Sequence, residues 1–243
     1  MPEGPSIIIL KEEASIFKGK KVLNASGNTK LDLSRLQGQK VIDFKSWGKQ
    51  FLICFKDFTV RIHLLLFGSY RINERKETPP RLSLAFKNGE LNFYTCSVRF
   101  IEEDINRIYD WEVDTMSPDW NPKKATASVK KLKNVPVCDI LLDQNIFAGS
   151  GNIIKNEVLY RIRVHPLSLS SALPEKKLKE LVRETPNYCH DFYKWKKKFE
   201  LKKHWLAYKQ KICRRCNVPI TFQKLGKHQR YTYFCRNCQV LYE

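Results

Sequence analysis

The sequence predicts an α+β protein in which strands come first and helices follow. Three observations set that expectation. Up to about residue 103 the chain is a series of short runs rich in β-branched and aromatic residues, broken by turn residues. From about residue 121 apolar residues fall at helical spacing, and the last segment carries two cysteine pairs, CRRC and CRNC. With 243 residues, 42% of them apolar, the chain can bury a real core.

The elements follow in order. PSIIILKEEASIFK, residues 5–18, places apolar side chains at helical spacing behind a serine able to cap, so a first helix is expected. KVIDF, QFLICF, FTVRIHLLL, GSYRI, RLSLAF and ELNFYTC read as strands of one antiparallel β-sandwich or barrel, with Asn88-Gly89 as a hairpin signal and SWGK, residues 46–49, in a loop. PKKATASVKKLK, VCDILLDQ, NIIKNEVLYRIRV and PEKKLKELVRE read as helices, followed by a Lys/Trp/Tyr-rich run over 189–211. Between two of them stands AGSGN, residues 148–152. Its glycines allow a tight turn that opens a helix at Asn152, either as a simple connection or as a cradle for a phosphate oxygen.

Charge is unevenly placed. Residues 1–120 hold 18 Lys+Arg against 16 Asp+Glu, and residues 121–243 hold 26 against 9, so the net +19 is almost all C-terminal. A half carrying +17 is the footprint expected of a surface that sits on phosphates. No run approaches the roughly 18 apolar residues of a membrane span, and the start has neither the basic nor the apolar segment of a signal peptide. A cytoplasmic protein with no membrane partner is expected.

Of eight cysteines, Cys54, Cys96, Cys138 and Cys189 stand singly in mostly apolar or aromatic company and read as reduced packing or surface thiols. Cys213, Cys216, Cys235 and Cys238 form two knuckles whose two-residue spacers let both sulfurs of each point at one ion, the pattern of a single structural Zn²⁺. Inside this finger KHQRYTYFC reads as a hairpin limb with Arg230 at or near its tip, a stiff carrier for a guanidinium fork.

At the other end stands MPEGPSI. Removal of Met1 would leave Pro2 with a secondary amine, and an α-amino group titrates near 7.7–8.0, so an uncharged, nucleophilic fraction exists at neutral pH. Such an amine can form a Schiff base with a carbonyl. Three residues alone are equally an ordinary terminus.

MPEGP, the Gly-Lys hairpin, LLDQNIFAGSGNIIKNEVLYRIRVHP and a terminal four-cysteine finger with QRYTYFC occur in one order. That combination resembles, along essentially the whole chain, the formamidopyrimidine-DNA glycosylase and endonuclease VIII family, with MPEGP closer to the endonuclease VIII branch. The resemblance implies an N-terminal antiparallel β-sandwich with flanking helices (1–120), a helix-two-turn-helix domain (121–208) and a four-cysteine zinc finger (209–243). It implies a bifunctional DNA glycosylase and AP lyase of base excision repair. Its site residues would be Pro2 as nucleophile, Glu3 as acid–base group, Lys49 in the hairpin loop, and Arg230 and Asn152 on phosphates. Leu65, Leu66 and Phe67 would fill the hole left by an extruded nucleotide, unless that run is a plain core strand. Arg99 and Glu157 join the DNA-binding set, Glu157 by its matching position.

Two departures stand out. Ser6 replaces the glutamate usual after the second proline, and Val98 lies where the purine branch usually has an arginine facing the orphaned base. With the short stretch ahead of the finger, Val98 favours oxidised pyrimidines. The implied partner is damaged DNA, duplex or bubble, bound by a monomer in the cytoplasm of a bacterial cell at its nucleoid. Two alternatives are a non-catalytic or weakly catalytic damaged-DNA binder and an enzyme preferring 8-oxoguanine or formamidopyrimidines.

Overall fold

The computed structural model describes residues 2–243; Met1, whose removal the Pro2 chemistry requires, lies outside the described residues. The chain divides into two compact units, one running to Asp110 and the other from Trp111 to Glu243. Its architecture is the expected α+β one.

In the first unit α1 spans Gly4–Ala14 and continues as a 3-10 turn, Ser15–Phe17. The expected serine cap is corrected: Glu3, in extended backbone, is the N-cap, Pro5 lies in the first turn, and Ser6 is buried inside the helix. The first two turns of α1 are almost wholly buried, Ile7 and Leu10 completely, and its charged residues Lys11, Glu12 and Glu13 gather at the C-terminal end.

Two four-stranded antiparallel sheets follow. One is ordered β2 (Asp43–Trp47), β3 (Gln50–Cys54), β4 (Thr59–His63), β8 (Ser97–Ile101). The other is ordered β1 (Asn24–Ser26), β6 (Leu82–Phe86), β7 (Gly89–Tyr94), β5 (Ser69–Ile72). Alternation sends Phe44, Phe51, Ile53, Val60, Ile62 and Val98 from the first sheet into one core with Leu82, Leu84, Leu91 and Phe93 from the second and Ile7 and Leu10 from α1. The Asn-Gly signal marks a hairpin, but its turn is Lys87–Asn88, and Gly89 already pairs with Phe86.

The expected strand FTVRIHLLL stops at His63, and Leu65–Phe67 form a turn. Gly68 explains why. Its N–H donates to the Leu64 carbonyl at 2.7 Å, and a Cβ on Gly68 would lie 2.0 Å from that oxygen, so only glycine lets the chain fold back this tightly. The unit closes with the short α2, Ile105–Ile108.

The second unit holds α3 (Pro122–Lys131), α4 (Val137–Ile140), α5 (Asn152–Arg161) and α6 (Glu175–Lys197), then the hairpin β9 (Thr221–Leu225) and β10 (Arg230–Phe234). Asn121 caps α3 by accepting from the N–H groups of Lys123 and Lys124. α5 is buried from Asn152 to Tyr160 and packs between α6 and β10. The helix expected over PEKKLKELVRE extends into the Lys/Trp/Tyr-rich run, α6 being continuous for 23 residues through Pro186. The bond that Pro186 forfeits is outweighed by the apolar stripe Leu178, Leu181, Val182, Tyr188, Cys189 and Phe192, buried on either side of it. Among the described residues no helix is long and apolar enough to cross a membrane.

Candidate functional site

In the first unit Pro2 is partly exposed and Glu3, beside it, is completely buried, so the carboxyl is held at the entry to α1 rather than waving in solvent. α1 packs on β2 and β3, whose two-residue turn is Gly48–Lys49. Gly48, at φ 53°, takes the left-handed first position that such turns require, which leaves Lys49 to project from the turn. The hairpin end is braced: the Trp47 indole N–H donates to the Asp110 carbonyl (2.8 Å), the Tyr109 ring stacks on Trp47 at 4.9 Å, and the Tyr109 hydroxyl donates to Gln50 Oε1 (2.6 Å).

The face of this sheet turned away from the sandwich core carries cations beside covered side chains, Leu52 among them completely buried. Register places Lys45, Leu52, Arg61 and Arg99 in one cross-strand row, with Arg61 directly opposite Arg99. Like charges so placed repel, and an anion lying over them would relieve it. Arg99 is exposed, whereas Val98 points into the sandwich core. Strand alternation turns Val98 inward, and Arg99 is the neighbouring position that faces outward.

His63, in the row of Gln50 and Ser97, is held below its ordinary 6.5 by burial, with Lys49 and Arg61 adding repulsion. As pH falls the unfolded chain takes up this proton before the folded one. The stability of the first unit is thus expected to decline as pH drops below 6.5 and on through the folded value. Urea midpoints of the full chain at a series of pH values should show that His63→Gln removes this part of the dependence.

Just beyond His63 the turn presents Leu65, Leu66 and Phe67 at 48%, 36% and 84% exposure. Three consecutive exposed apolar side chains on a turn tied by Gly68 are not a core strand.

In the second unit, three polar side chains on one face of α5 grip β10. Asn152 Nδ2 donates to the Tyr231 carbonyl (2.9 Å), Lys155 Nζ to Thr232 Oγ1 (2.7 Å), and Asn156 Oδ1 accepts from the Tyr233 N–H (2.8 Å). At the hairpin tip the Asp139 carboxylate accepts from the Lys227 N–H (2.9 and 3.0 Å) and fills the space over Gly226, where a Cβ would stand 2.4 Å from it. Arg230, exposed, opens β10 between these two anchorages.

Asn152 is not the cap of α5; Gly151 is, and the Asn152 carboxamide is turned to the hairpin, its Oδ1 buried and with no hydrogen-bond partner among the described residues. Glu157 is also corrected as a direct DNA contact. It is completely buried, and its carboxylate accepts from the N–H groups of Leu206, Ala207 and Tyr208 at 2.8–3.1 Å. Burial pushes its pKa up against the pull of those donors. Asp139, Lys155 and Asn156 were not singled out from sequence. The one signal available was three polar residues, 152, 155 and 156, at helical spacing in a segment that otherwise carries mostly apolar residues.

The ligand atoms of Cys213, Cys216, Cys235 and Cys238 lie within 4.8 Å of one another, so these residues can hold a metal ion. Cys213 and Cys238 sulfurs are 3.8 Å apart and Cys235 and Cys216 sulfurs 3.9 Å. A tetrahedron with Zn–S bonds of about 2.3 Å has edges of roughly 3.8 Å, so the donor set and spacing fit zinc and are far too wide for disulfides. The Tyr160 hydroxyl lies 3.2 Å from the Cys213 sulfur, which ties the cluster to α5.

Comparison with known proteins agrees with this arrangement. Residues 1–101 match the formamidopyrimidine-DNA glycosylase N-terminal domain, and residues 112–190 the formamidopyrimidine-DNA glycosylase H2TH domain. The chain is 34% identical over 231 residues to Endonuclease 8-like 3 of Xenopus laevis, an alignment covering 90% of this chain and 38% of that relative; it spans well under half of the relative's length. It is 26% identical to the formamidopyrimidine-DNA glycosylase of Lactobacillus helveticus over the full length of both. A complex of the Lactococcus lactis Fpg with DNA containing an oxidised pyrimidine shares the fold, with TM-score 0.86 at 21% identity over 98% of this chain and 99% of the other. With both domain models of one family matched in order, on a sandwich, a helix pair and a four-cysteine cluster laid out as described, the chain belongs to the formamidopyrimidine-DNA glycosylase and endonuclease VIII family.

Proposed function

We propose that this chain is a bifunctional DNA glycosylase and AP lyase that removes oxidised bases, mainly pyrimidines, from DNA. The observation that carries the reading is the completely buried Glu3 carboxyl directly following a partly exposed Pro2 at the entry to α1. A carboxyl fixed in place beside the amine is positioned for proton transfer. The exposed Leu65–Phe67 turn supports it, because an apolar wedge is what an enzyme needs to replace an extruded nucleotide.

In this mechanism the Pro2 amine, freed by loss of Met1, attacks C1′ of the damaged nucleoside. The bond from C1′ to the base breaks, the base leaves with its electron pair, and an iminium joins Pro2 to the sugar. Glu3 gives its proton to the opening ring oxygen and afterwards accepts one. The iminium makes the C2′ proton acidic; its loss expels the 3′ phosphate, and a second elimination expels the 5′ phosphate. Addition of water to the remaining iminium releases the sugar fragment as an aldehyde and restores the amine. Lys49 holds a phosphate beside the lesion, Arg99 adds a second cation on the sheet face, and Arg230 clamps a phosphate, its place set by α5 and Asp139. Asn152 serves through its remaining amide hydrogen and the α5 N-terminus, since its buried oxygen can only accept.

Cys213, Cys216, Cys235 and Cys238 would hold one Zn²⁺, whose contribution would be to stiffen the finger and not to react. The second unit further divides near residue 208 into the helix-pair domain and the finger. The protein acts as a monomer in the cytoplasm.

Titration of binding against salt tests the DNA-clamp part. Log affinity for abasic-site DNA should fall linearly with log salt, and Arg230→Ala should reduce that slope by about 1 while weakening binding to all sequences alike. An unchanged slope would count against Arg230 as a phosphate clamp.

A further inference from the structure

The end of α6 departs from the usual chemistry of helix endings. The Glu200 N–H donates to the Trp195 carbonyl (2.8 Å) and the Phe199 N–H to the Lys196 carbonyl (3.0 Å), the paired bonds that close a helix when the residue after the cap is left-handed. Glycine or asparagine normally stands there, because a Cβ crowds the following carbonyl. Here it is Phe199, at φ 58°, and the residue is 96% exposed. The ring gains no burial to offset the strain, so folding of this unit does not call for it.

Its surroundings are strongly basic. KWKKKFELKK, residues 194–203, carries six lysines and one glutamate, a net +5. Lys194, Lys198, Lys202 and Lys203 are exposed, and Glu200 is engaged by Lys203 (3.3 Å). Back along the outward side of α6, Lys176, Lys179 and Arg183 continue the same face at three- and four-residue spacing. Three acids of the helix are already matched within the unit: Glu175 with Lys130 (2.8 Å), Glu180 with Lys177 (2.6 Å) and Glu184 with Arg161 (3.2 Å). A 23-residue helix is roughly 35 Å long, so the cations form an extended track that ends at the ring.

We propose that the outer face of α6 and the elbow at Phe199 dock unpaired, single-stranded nucleic acid, separately from the residues assigned to base excision. Phosphates lie along Arg183, Lys194, Lys198 and Lys202, and a base stacks on Phe199. A line of positive charge fits a polyanion, and an exposed ring set among the charges fits a base whose face is free, which the interior of a duplex does not offer. A membrane would call for an apolar stripe, and this ring stands alone among lysines. The surface rests on the DNA-acting reading only for the choice of nucleic acid over another polyanion.

The test uses the full chain, a labelled undamaged oligothymidylate, the matching paired duplex, and vesicles containing phosphatidylserine. Phe199→Gly should weaken oligothymidylate binding about tenfold, the scale of one base stacked on one ring. The same variant should melt about 2–4 °C higher, because glycine relieves the left-handed strain. Phe199→Trp should restore binding. Lys194→Ala with Lys198→Ala should lower the salt slope by about 1.4, two phosphates on a single strand. Unchanged binding in Phe199→Gly, a loss accompanied by a lower melting temperature, an equal loss on the duplex, or a Phe199-dependent association with vesicles would each overturn the proposal. Absence of Pro2-dependent trapping alongside the expected Phe199 result would sink the catalytic reading and leave this surface standing; the opposite pattern would sink the surface alone.

Discussion

Borohydride reduction of the wild-type protein mixed with abasic-site DNA will yield a covalent adduct, and an alanine inserted ahead of Pro2 will abolish it. The insertion displaces the amine by about 3.8 Å along the chain. Reacting atoms must meet within about 3–3.5 Å, and an error of 1 Å already costs on the order of a hundredfold, so the displaced amine falls out of reach while α1 stays intact. Glu3→Gln separates the two chemical stages. Base excision should fall by about 10²–10⁴-fold, the contribution of a positioned acid–base group. An abasic strand has no base to expel, and its hemiacetal sugar opens spontaneously to an aldehyde that the amine can capture, so trapping on it should survive. The two variants thus distinguish the nucleophile from the proton carrier. Adduct formation in the insertion variant would remove Pro2 from its role.

Chelation of the metal, or Cys235→Ser, has the second large effect. Each chain should release one zinc ion, and the finger should lose the crosslink that joins its two knuckles. α5 still offers Asn152, Lys155 and Asn156 to β10, and Arg215 still donates to the Tyr160 carbonyl, but the Cys213–Cys216 and Cys235–Cys238 knuckles are no longer joined to each other through one ion. Arg230 loses its fixed direction. Since a charge-assisted hydrogen bond is worth about 1.5–3 kcal/mol, DNA affinity should fall roughly 10- to 150-fold. The first unit has its own core, built from α1 and both sheets, and its thermal transition should be unaffected. Retained affinity after zinc loss, measured by anisotropy with the zinc release quantified in the same sample, would remove the finger from the clamp.

Much of this was legible from residue order. Cysteine spacing foretold the cluster because ligand geometry acts over a few residues, and the strands β3, β5 and β6 foretold themselves through β-branched and aromatic content. Legibility failed wherever a distant partner overrode local preference. HLLLF has strand propensity, but the Gly68 close approach to Leu64 turns it outward. Pro186 signals a break, but the stripe buried on both sides of it carries α6 through. Asn-Ala-Ser has no strand propensity at all, and β1 exists only because it pairs with β6.

The site shows the same division. Pro2, Glu3, Lys49 and Arg230 were singled out by motif, and the structure shows what holds the segments of two of them: the braced β2–β3 turn around Lys49, and α5 with Asp139 on either side of Arg230. Glu157 and Asn152 illustrate the opposite case. Position in a motif could not show that one carboxylate is spent on the 206–208 backbone or that one carboxamide reaches to Tyr231, because both facts depend on segments 49 to 79 residues away.

The most direct measurement is peptide mapping of the reduced adduct by mass spectrometry. The sugar remnant is expected on the nitrogen of Pro2 in the N-terminal peptide, with Met1 gone; attachment to Lys49 or any other lysine, or a retained Met1 in the adduct, would contradict the account.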